Sequence, residues 1–276
     1  MPPVLTAADQ LHAALASTDP PVVLDVRWAL GDPEGRAHYL AGHLPCAVYV
    51  DLDVELAGPA APLAGRHPLP ALEDLQSAAR RWGIRTGARV VVYDDAGGLA
   101  AARAWWLLRW AGITDVTILD GALAAWVRAG YPLVEGEQPA PAVGDVVLSA
   151  GHLPVLSADE AEAYGRAGML LDARSGERFR GESEPIDARA GHIPGAVSAP
   201  STQNLAADGT FLPAGALRGR FASLGVTGPV GVYCGSGVTA AQEVAALAVA
   251  GISAALFPGS WSAWSADPDR PVATGG

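Results

Sequence analysis

Short apolar runs alternate along this chain with longer stretches of helical character. The runs at 22–26, 48–50, 89–93 and 116–119 read as short buried strands, and those at 170–172, 196–198, 230–233 and 254–257 read the same way. Helices fill the intervals, for example at 100–111 and 239–250. Each of these two ends at a glycine, Gly112 or Gly251, suited to a helix C-terminus. Strands alternating with helices pair in parallel and are covered on both faces. The predicted class is α/β, with small, mostly parallel sheets.

The pattern occurs twice. Val22-Val23-Leu24-Asp25-Val26-Arg27 returns as Met169-Leu170-Leu171-Asp172-Ala173-Arg174. Ala41-Gly42-His43-Leu44-Pro45-Cys46-Ala47-Val48 returns as Ala190-Gly191-His192-Ile193-Pro194-Gly195-Ala196-Val197. Val91-Val92-Tyr93-Asp94 returns as Gly231-Val232-Tyr233-Cys234, and Gly121 to Trp126 returns as Gly259 to Trp264. The offset drifts slowly, so small insertions separate two homologous halves, a duplicated domain rather than a solenoid unit. The expected organisation is a first domain at 5–134, a linker at 135–154 rich in Gly, Pro and Glu, and a second domain at 155–273. Asp25 with Arg27 and Asp172 with Arg174 occur in both halves and read as structural ion pairs near strand ends. Six tryptophans, Trp105, Trp106, Trp110, Trp126, Trp261 and Trp264, read as core, and Cys46 reads as a packing residue.

Composition narrows the classes of function. Half the residues are apolar, enough for a core in each half, and no uncharged apolar run is long enough for a membrane span. The N-terminal stretch Met1-Pro2-Pro3-Val4-Leu5-Thr6 lacks the basic and apolar regions of a signal peptide, and two distant cysteines do not form a disulfide framework. A cytoplasmic location is expected. The net charge of −11 argues against a nucleic-acid partner. All 18 basic residues are arginine, which excludes a pyridoxal phosphate Schiff base and a P-loop, and makes every fixed cation of a site an arginine.

Chemistry concentrates at Gly231-Val232-Tyr233-Cys234-Gly235-Ser236-Gly237-Val238-Thr239-Ala240. An apolar strand ends in a cysteine, a loop with two glycines follows, and a helix begins. Ligands of parallel sheets bind beyond the carboxyl ends of the strands, where Cys234 falls. Glycines let backbone N–H groups turn inward, and the helix adds its free N–H groups and positive dipole end. Such a pocket stabilises negative charge on the sulfur or on a group attached to it, the condition for nucleophilic sulfur chemistry. A free cysteine is ordinarily a small buried hydrophobe, but such a residue does not need Gly-x-Gly behind it at a strand-to-helix junction. The catalytic reading requires a sulfur reachable from solvent. In the first half Asp94 takes the place of the cysteine, so that half reads as having lost the chemistry and as serving for scaffold and one wall of the cleft. A cysteine phosphatase would close the same loop with an arginine, where this chain has Ala240.

The tandem repeat, the Asp-x-Arg pairs, Gly-His-Ile-Pro-Gly-Ala and the loop Cys-Gly-Ser-Gly-Val-Thr-Ala together resemble the two-domain rhodanese-type sulfurtransferases, over nearly the whole chain. The resemblance implies tandem rhodanese-like domains, each a small parallel sheet with helices on both faces. The loop is similar to that of the 3-mercaptopyruvate branch. Thiosulfate-using members typically carry bulkier, cationic residues after the cysteine, where this chain has Gly235 and Ser236. The implied reaction passes sulfane sulfur from 3-mercaptopyruvate through a Cys234 persulfide, held by Gly235, Ser236, Gly237, Val238 and Thr239, to a thiol such as thioredoxin or glutathione, or to cyanide in the test tube. No cofactor or metal is implied. Thiosulfate is the alternative donor, and a low-turnover persulfide carrier the alternative of another class.

The resemblance also implies the remaining site residues. Gly176-Glu177-Arg178-Phe179-Arg180-Gly181 matches the segment whose first arginine contacts substrate, so Arg178, and after it Arg180, are expected to bind the donor carboxylate. Mercaptopyruvate enzymes often place a further arginine just beyond the Glu-Pro matching Glu184-Pro185. This chain has Ile186 and Asp187 there, and Arg189 slightly later. Ser236 is expected to pass a proton to the leaving group, paired with a histidine and an aspartate of the first domain, matched here to His43 and Asp32.

Overall fold

A computed structural model describes residues 3–276; Met1 and Pro2, part of the stretch read for a leader, lie outside the described residues. The chain forms two compact units, each built on one parallel sheet. The first sheet holds β1 (Leu5–Thr6), β2 (Val22–Asp25), β3 (Ala47–Tyr49), β4 (Val90–Tyr93) and β5 (Val116–Leu119) in the order β1-β5-β4-β2-β3. The second holds β6 (Leu170–Asp172), β7 (Val197–Ser198), β8 (Val230–Tyr233) and β9 (Ala254–Leu256) in the order β7-β6-β8-β9. Every pairing is parallel, as expected for strands joined by helical crossovers. The edge strand β1, which pairs Leu5 with Ile118, has two residues, too short for an apolar period to reveal.

The two units repeat one polar frame. Asp25 on β2 lies in register with Tyr93 on β4, and Asp172 on β6 with Tyr233 on β8. Arg27 meets Asp25 at 2.8 Å and donates to the Gly42 carbonyl, while Arg174 meets Asp172 at 2.6 Å and donates to the Gly191 carbonyl. Tyr93 and Tyr233 turn their hydroxyls to the N–H groups of Leu44 and Ile193. The Asp-x-Arg and Gly-His motifs are therefore one buried network, and its charges are tolerated because each is paired and hydrogen-bonded. Burial nevertheless lifts the Asp25 carboxyl to about 6 against the pull of Arg27.

Apolar cores lie against these sheets. Leu11, Val23, Leu44, Val91, Tyr93, Leu119 and Trp126 pack in the first unit, and Leu156, Leu170, Ile193, Tyr233, Phe257, Trp261 and Trp264 in the second. Five of the six tryptophans read as core are buried, whereas Trp110 is only partly covered. Cys46 does not pack. It is exposed, with φ 64°, in a turn whose counterpart Gly195 has φ 79°. The turn after Pro45 and Pro194 demands a left-handed residue, which glycine adopts without strain. No helix is long and apolar enough to cross a membrane among the described residues.

The compact units depart from the repeat boundaries in two places. Ala57–Leu69 packs with the second unit, and Ala206–Phe211 with the first. Much of the stretch between the halves is also held down. Gly144 N–H donates to the Arg80 carbonyl, Thr86 N–H to the Asp145 carboxylate, and Leu148 N–H to the Gln76 side chain. Polar linker composition does not reveal that its backbone finds partners on the first unit's surface.

Candidate active site

Strand β8 ends at Tyr233, and Cys234 stands at its carboxyl end under the loop that leads into the helix Thr239–Val249. Three residues of the segment after β9 fix this position. Ser260 Oγ accepts the Cys234 N–H at 3.1 Å, the Cys234 carbonyl accepts Trp261 N–H, and the Gly235 carbonyl accepts Ser262 N–H, both at 2.9 Å. Gly237 has φ 82° and donates its N–H to Cys234 Sγ at 3.2 Å. A Cβ at Gly237 would lie 2.6 Å from the Pro258 carbonyl oxygen, so only glycine can make this turn. Val238 is buried beside it, and Thr239 opens the helix. Cys234 exposes only 2 % of its surface. The residue is thus buried, where the catalytic reading requires a sulfur reachable from solvent, and the Gly237 N–H points at the sulfur.

The same cradle in the first unit holds Asp94. Its carboxylate accepts the N–H groups of Ala96, Gly98, Ala100 and Ala101 at 2.8–3.0 Å, and the Asp94 carbonyl accepts Leu123 N–H, matching Trp261 on Cys234. Burial pushes the Asp94 carboxyl up, against the four N–H groups that pull it down.

Ser236 pairs with a histidine other than the one its sequence match indicates. Ser236 Oγ lies 2.8 Å from Nδ1 of His67, across 169 residues of sequence, with both residues buried in the second unit. His43 is instead a core residue of the first unit. Its ring stacks on Tyr39 at 3.8 Å and its Nδ1 bonds the Tyr39 carbonyl, while His192 does the same with Phe179. Desolvation lowers the His43 pKa and keeps the ring neutral. Asp32 likewise stays in the first unit. It accepts Glu34 N–H and meets His38 at 3.0 Å, contacts that lower its pKa.

The arginines divide in a similar way. Arg178, on the short helix Gly176–Arg180, reaches Glu184 at 2.6 Å and Asp187 at 3.1 Å. A methyl group placed on Gly235 would lie 3.4 Å from its Nη1. Burial pushes the Glu184 carboxyl up, but the Arg178 contacts and the N–H groups of Asp187 and Ile186 together outweigh it and leave Glu184 a low carboxylate. Arg180 forks outward onto Glu182 at 2.7 and 2.8 Å near the surface, sharing none of the contacts that bring Arg178 to the loop. Arg189 caps the C-terminal end of the helix Ser260–Ala266, donating to the carbonyls of Trp264, Ser265, Asp267 and Arg270.

Two residues at the site, Arg66 and His67, escape a sequence-level reading. Arg66 N–H bonds Ser262 Oγ at 3.1 Å, and the Arg66 guanidinium pairs with Asp187. One signal was available. His43 and His192 form a repeated pair that serves the repeated fold, whereas Gly65-Arg66-His67-Pro68 has no partner among the repeated motifs.

A cysteine whose sulfur takes a loop N–H at the carboxyl end of a parallel sheet, with a Ser–His pair and guanidinium groups at the same loop, is an arrangement suited to thiol chemistry. The family model for the rhodanese-like domain matches residues 7–129 and again 157–267. A Mycobacterium tuberculosis protein named as a thiosulfate sulfurtransferase, SseB, is 53 % identical over 99 % of this chain and 97 % of its own length. A Pseudomonas aeruginosa protein named as a 3-mercaptopyruvate sulfurtransferase is 47 % identical over 98 % of each chain. The crystal structure of SseA from Escherichia coli, described as a 3-mercaptopyruvate sulfotransferase, superposes with a TM-score of 0.81 at 33 % identity, covering 93 % of this chain and 98 % of that one. The chain belongs to the rhodanese-like family, in its two-domain form, and is a sulfurtransferase.

Proposed function

We propose that the protein takes sulfane sulfur from 3-mercaptopyruvate onto Cys234 and passes it to a thiol acceptor. The relatives' names divide between two donors, so the choice rests on the site. The observation that carries it is the Ser236–His67 pair at 2.8 Å on a loop whose next-door residue, Gly235, has no side chain. Pyruvate leaves as a carbon base that needs a proton, and a hydroxyl backed by an imidazole is suited to deliver one. Sulfite, the leaving group from thiosulfate, needs no such proton.

In the first displacement the Cys234 thiolate attacks the donor sulfur. An S–S bond forms, the C–S bond breaks with its electron pair on carbon, and the enolate of pyruvate takes its proton from Ser236. With His67 Nδ1 carrying hydrogen toward Ser236 Oγ, the serine O–H is free to point at the leaving group, and the imidazole restores its proton. The outer sulfur of the persulfide is stabilised by inward N–H groups of the kind that hold the Asp94 carboxylate. In the second displacement an acceptor thiolate takes that sulfur and releases Cys234. Two displacements through one covalent intermediate give ping-pong kinetics. Thiosulfate is the competing reading, favoured by the name of the Mycobacterium tuberculosis relative.

Catalytic efficiency measured for both donors with one dithiol acceptor tests the reading. A preference for 3-mercaptopyruvate that collapses in Ser236→Ala supports it. Equal or better use of thiosulfate, insensitive to Ser236, sinks it. Single loading without repeated turnover would identify a persulfide carrier instead.

A further inference from the structure

The first unit keeps a cleft at the carboxyl end of its own sheet, where ligands of parallel sheets sit. A cavity of about 380 Å³ opens there, and its lining includes Arg27, Trp28, Asp32, His38, Asp95 and Leu133. The two units can be matched residue by residue. Tyr39 and Phe179 are equivalent, since each stacks on the histidine of its Gly-His motif and meets that Nδ1 with its main-chain carbonyl. His38 therefore stands where the second unit has Arg178, and Asp95, directly after Asp94, stands where it has Gly235. At these two positions the first unit has one fixed cation fewer and one carboxylate more.

The buried arginines differ as well. Arg174 donates from Nε to Asp172, from Nη1 to Glu184, and from Nη2 to Asp172 and the Gly191 carbonyl, so each nitrogen has an acceptor within the chain. Arg27 donates from Nη1 to the His38 carbonyl and from Nη2 to Asp25 and the Gly42 carbonyl. Its Nε has no hydrogen-bond partner, although Arg27 is only 5 % exposed. The Asp95 carboxylate stands 3.8 Å from that nitrogen, too far for a hydrogen bond. A buried guanidinium N–H without an acceptor is costly unless something supplies one. The backbone at this edge is closely fitted, for a Cβ on Gly35 would lie 2.0 Å from the Arg27 carbonyl oxygen.

The other charges of the cavity are anionic. Asp95 is 42 % exposed, and Asp32 lies 3.0 Å from His38 Nε2. Asp25 already meets the charge of Arg27. A bare anion would be repelled by the two exposed carboxylates, and a bare cation would leave Arg27 Nε without an acceptor. Trp28, whose indole N–H is held by Asp53, and Leu133 add apolar surface.

We propose that this cleft binds a short α-amino acid. The ligand carboxylate accepts from Arg27 Nε, the ammonium pairs with Asp95 in the field of Asp32, and the side chain lies against Trp28 and Leu133. This site does not depend on which sulfur donor reaches Cys234, and it makes the first unit a ligand-binding domain as well as a scaffold.

Calorimetry on the full-length protein tests it, with L-serine and L-alanine as probes, lactate as the analogue without the ammonium and ethanolamine as the one without the carboxylate. The amino acids should bind one molecule per chain with a Kd of about 1 mM or tighter. Lactate and ethanolamine should each bind roughly 10-fold more weakly or worse, because each leaves a charged group unpaired. Asp95→Asn should raise the L-serine Kd roughly 10-fold and narrow the gap to lactate, with Tm and the kcat of sulfur transfer unchanged. Trp28→Phe should abolish the change in indole fluorescence on L-serine binding with little change in Kd. Amide exchange of the wild-type protein, which needs no variant, should slow at 27–38 and 94–98 when L-serine binds. Absence of L-serine binding at about 10 mM overturns the proposal, as does lactate or ethanolamine binding as tightly as L-serine. An L-serine affinity indifferent to Asp95→Asn, or protection confined to 233–240, places the amino acid elsewhere and overturns it too.

Discussion

The Asp94 loop and the Cys234 loop are one device used for two purposes. Each follows the central strand of a parallel sheet, each leads into a largely buried helix, and each residue's carbonyl accepts an N–H from the helix behind it. In the first unit the loop closes on an anion of its own chain, saturating the carboxylate with four N–H groups. The cradle becomes a structural rivet. In the second unit a thiol occupies the position, with the Gly237 N–H on its sulfur and two guanidinium groups beside the next residue. Replacing a built-in anion with a thiol keeps the carbonyl contact to the helix behind and, in the proposed function, leaves the loop to act on charge that arrives with substrate.

Cys234→Ser breaks the comparison most severely. Sulfur transfer from either donor should fall by roughly 10⁴-fold or more, because an alcohol forms no persulfide and Asp94 offers no second nucleophile. Turnover with cyanide as acceptor measures it, and retained activity would show that another group carries the sulfur.

Asp94→Ala should unfold rather than inactivate. Leaving several buried N–H groups without an acceptor costs about 3–5 kcal/mol, read as a lower urea midpoint at unchanged m-value. Asp94→Asn should lose less. The sign of the pH dependence follows from the raised carboxyl. A folded-state pKa above the unfolded value near 3.9 means that the native state holds the proton longer. This group's contribution is therefore fully present below pH 3.9 and declines as the pH rises through the native value. Asp94→Asn should flatten that slope, and an unchanged slope would remove Asp94 as its source.

The two histidines should separate cleanly. His67→Ala is expected to lower kcat for 3-mercaptopyruvate about 100-fold with little change in Tm, since general acid–base support is worth at least that much. His43→Ala should lower Tm through the lost stack on Tyr39 and leave kcat near the wild-type value. The opposite pattern would return the proton relay to His43. The smallest effect belongs to the turns after Pro45 and Pro194. Cys46→Gly relieves a left-handed residue and should stabilise by at most ~1 kcal/mol, the strain being offset by glycine's entropy when unfolded. At Gly195 a Cβ would lie 2.2 Å from the Gly165 carbonyl oxygen, so Gly195→Cys should be strongly destabilising.

Residues present in both halves were easier to place than residues present in one. The eight strands expected from apolar runs all form, with ends within a residue of their expected positions, because short buried strands between helices have few alternatives. Duplication, however, draws attention to motifs that serve the shared frame. The repeat points to the histidine of Gly-His-x-Pro as the partner of Ser236, yet both copies stack on an aromatic ring, His43 on Tyr39 and His192 on Phe179. Arg180 and Arg189 were candidates because they are arginines near the right segment. One is held by Glu182 and the other by helix carbonyls, and neither fate shows in residue type or spacing.

The amino-acid sequence alone determined the duplicated α/β architecture, the cysteine loop and the aspartate that stands for the cysteine in the first half. These follow from local periodicity, glycine sterics and the identity of one side chain, none of which requires distant chain to be placed. Only the tertiary structure decided which histidine faces Ser236 and which arginine lies with Arg178 beside Gly235. Both come from Ala57–Leu69, a segment of the first sequence half that packs into the second unit. Its place is set by long-range contacts such as Arg66 with Ser262, 196 residues apart, and such closure leaves no periodic trace in the chain.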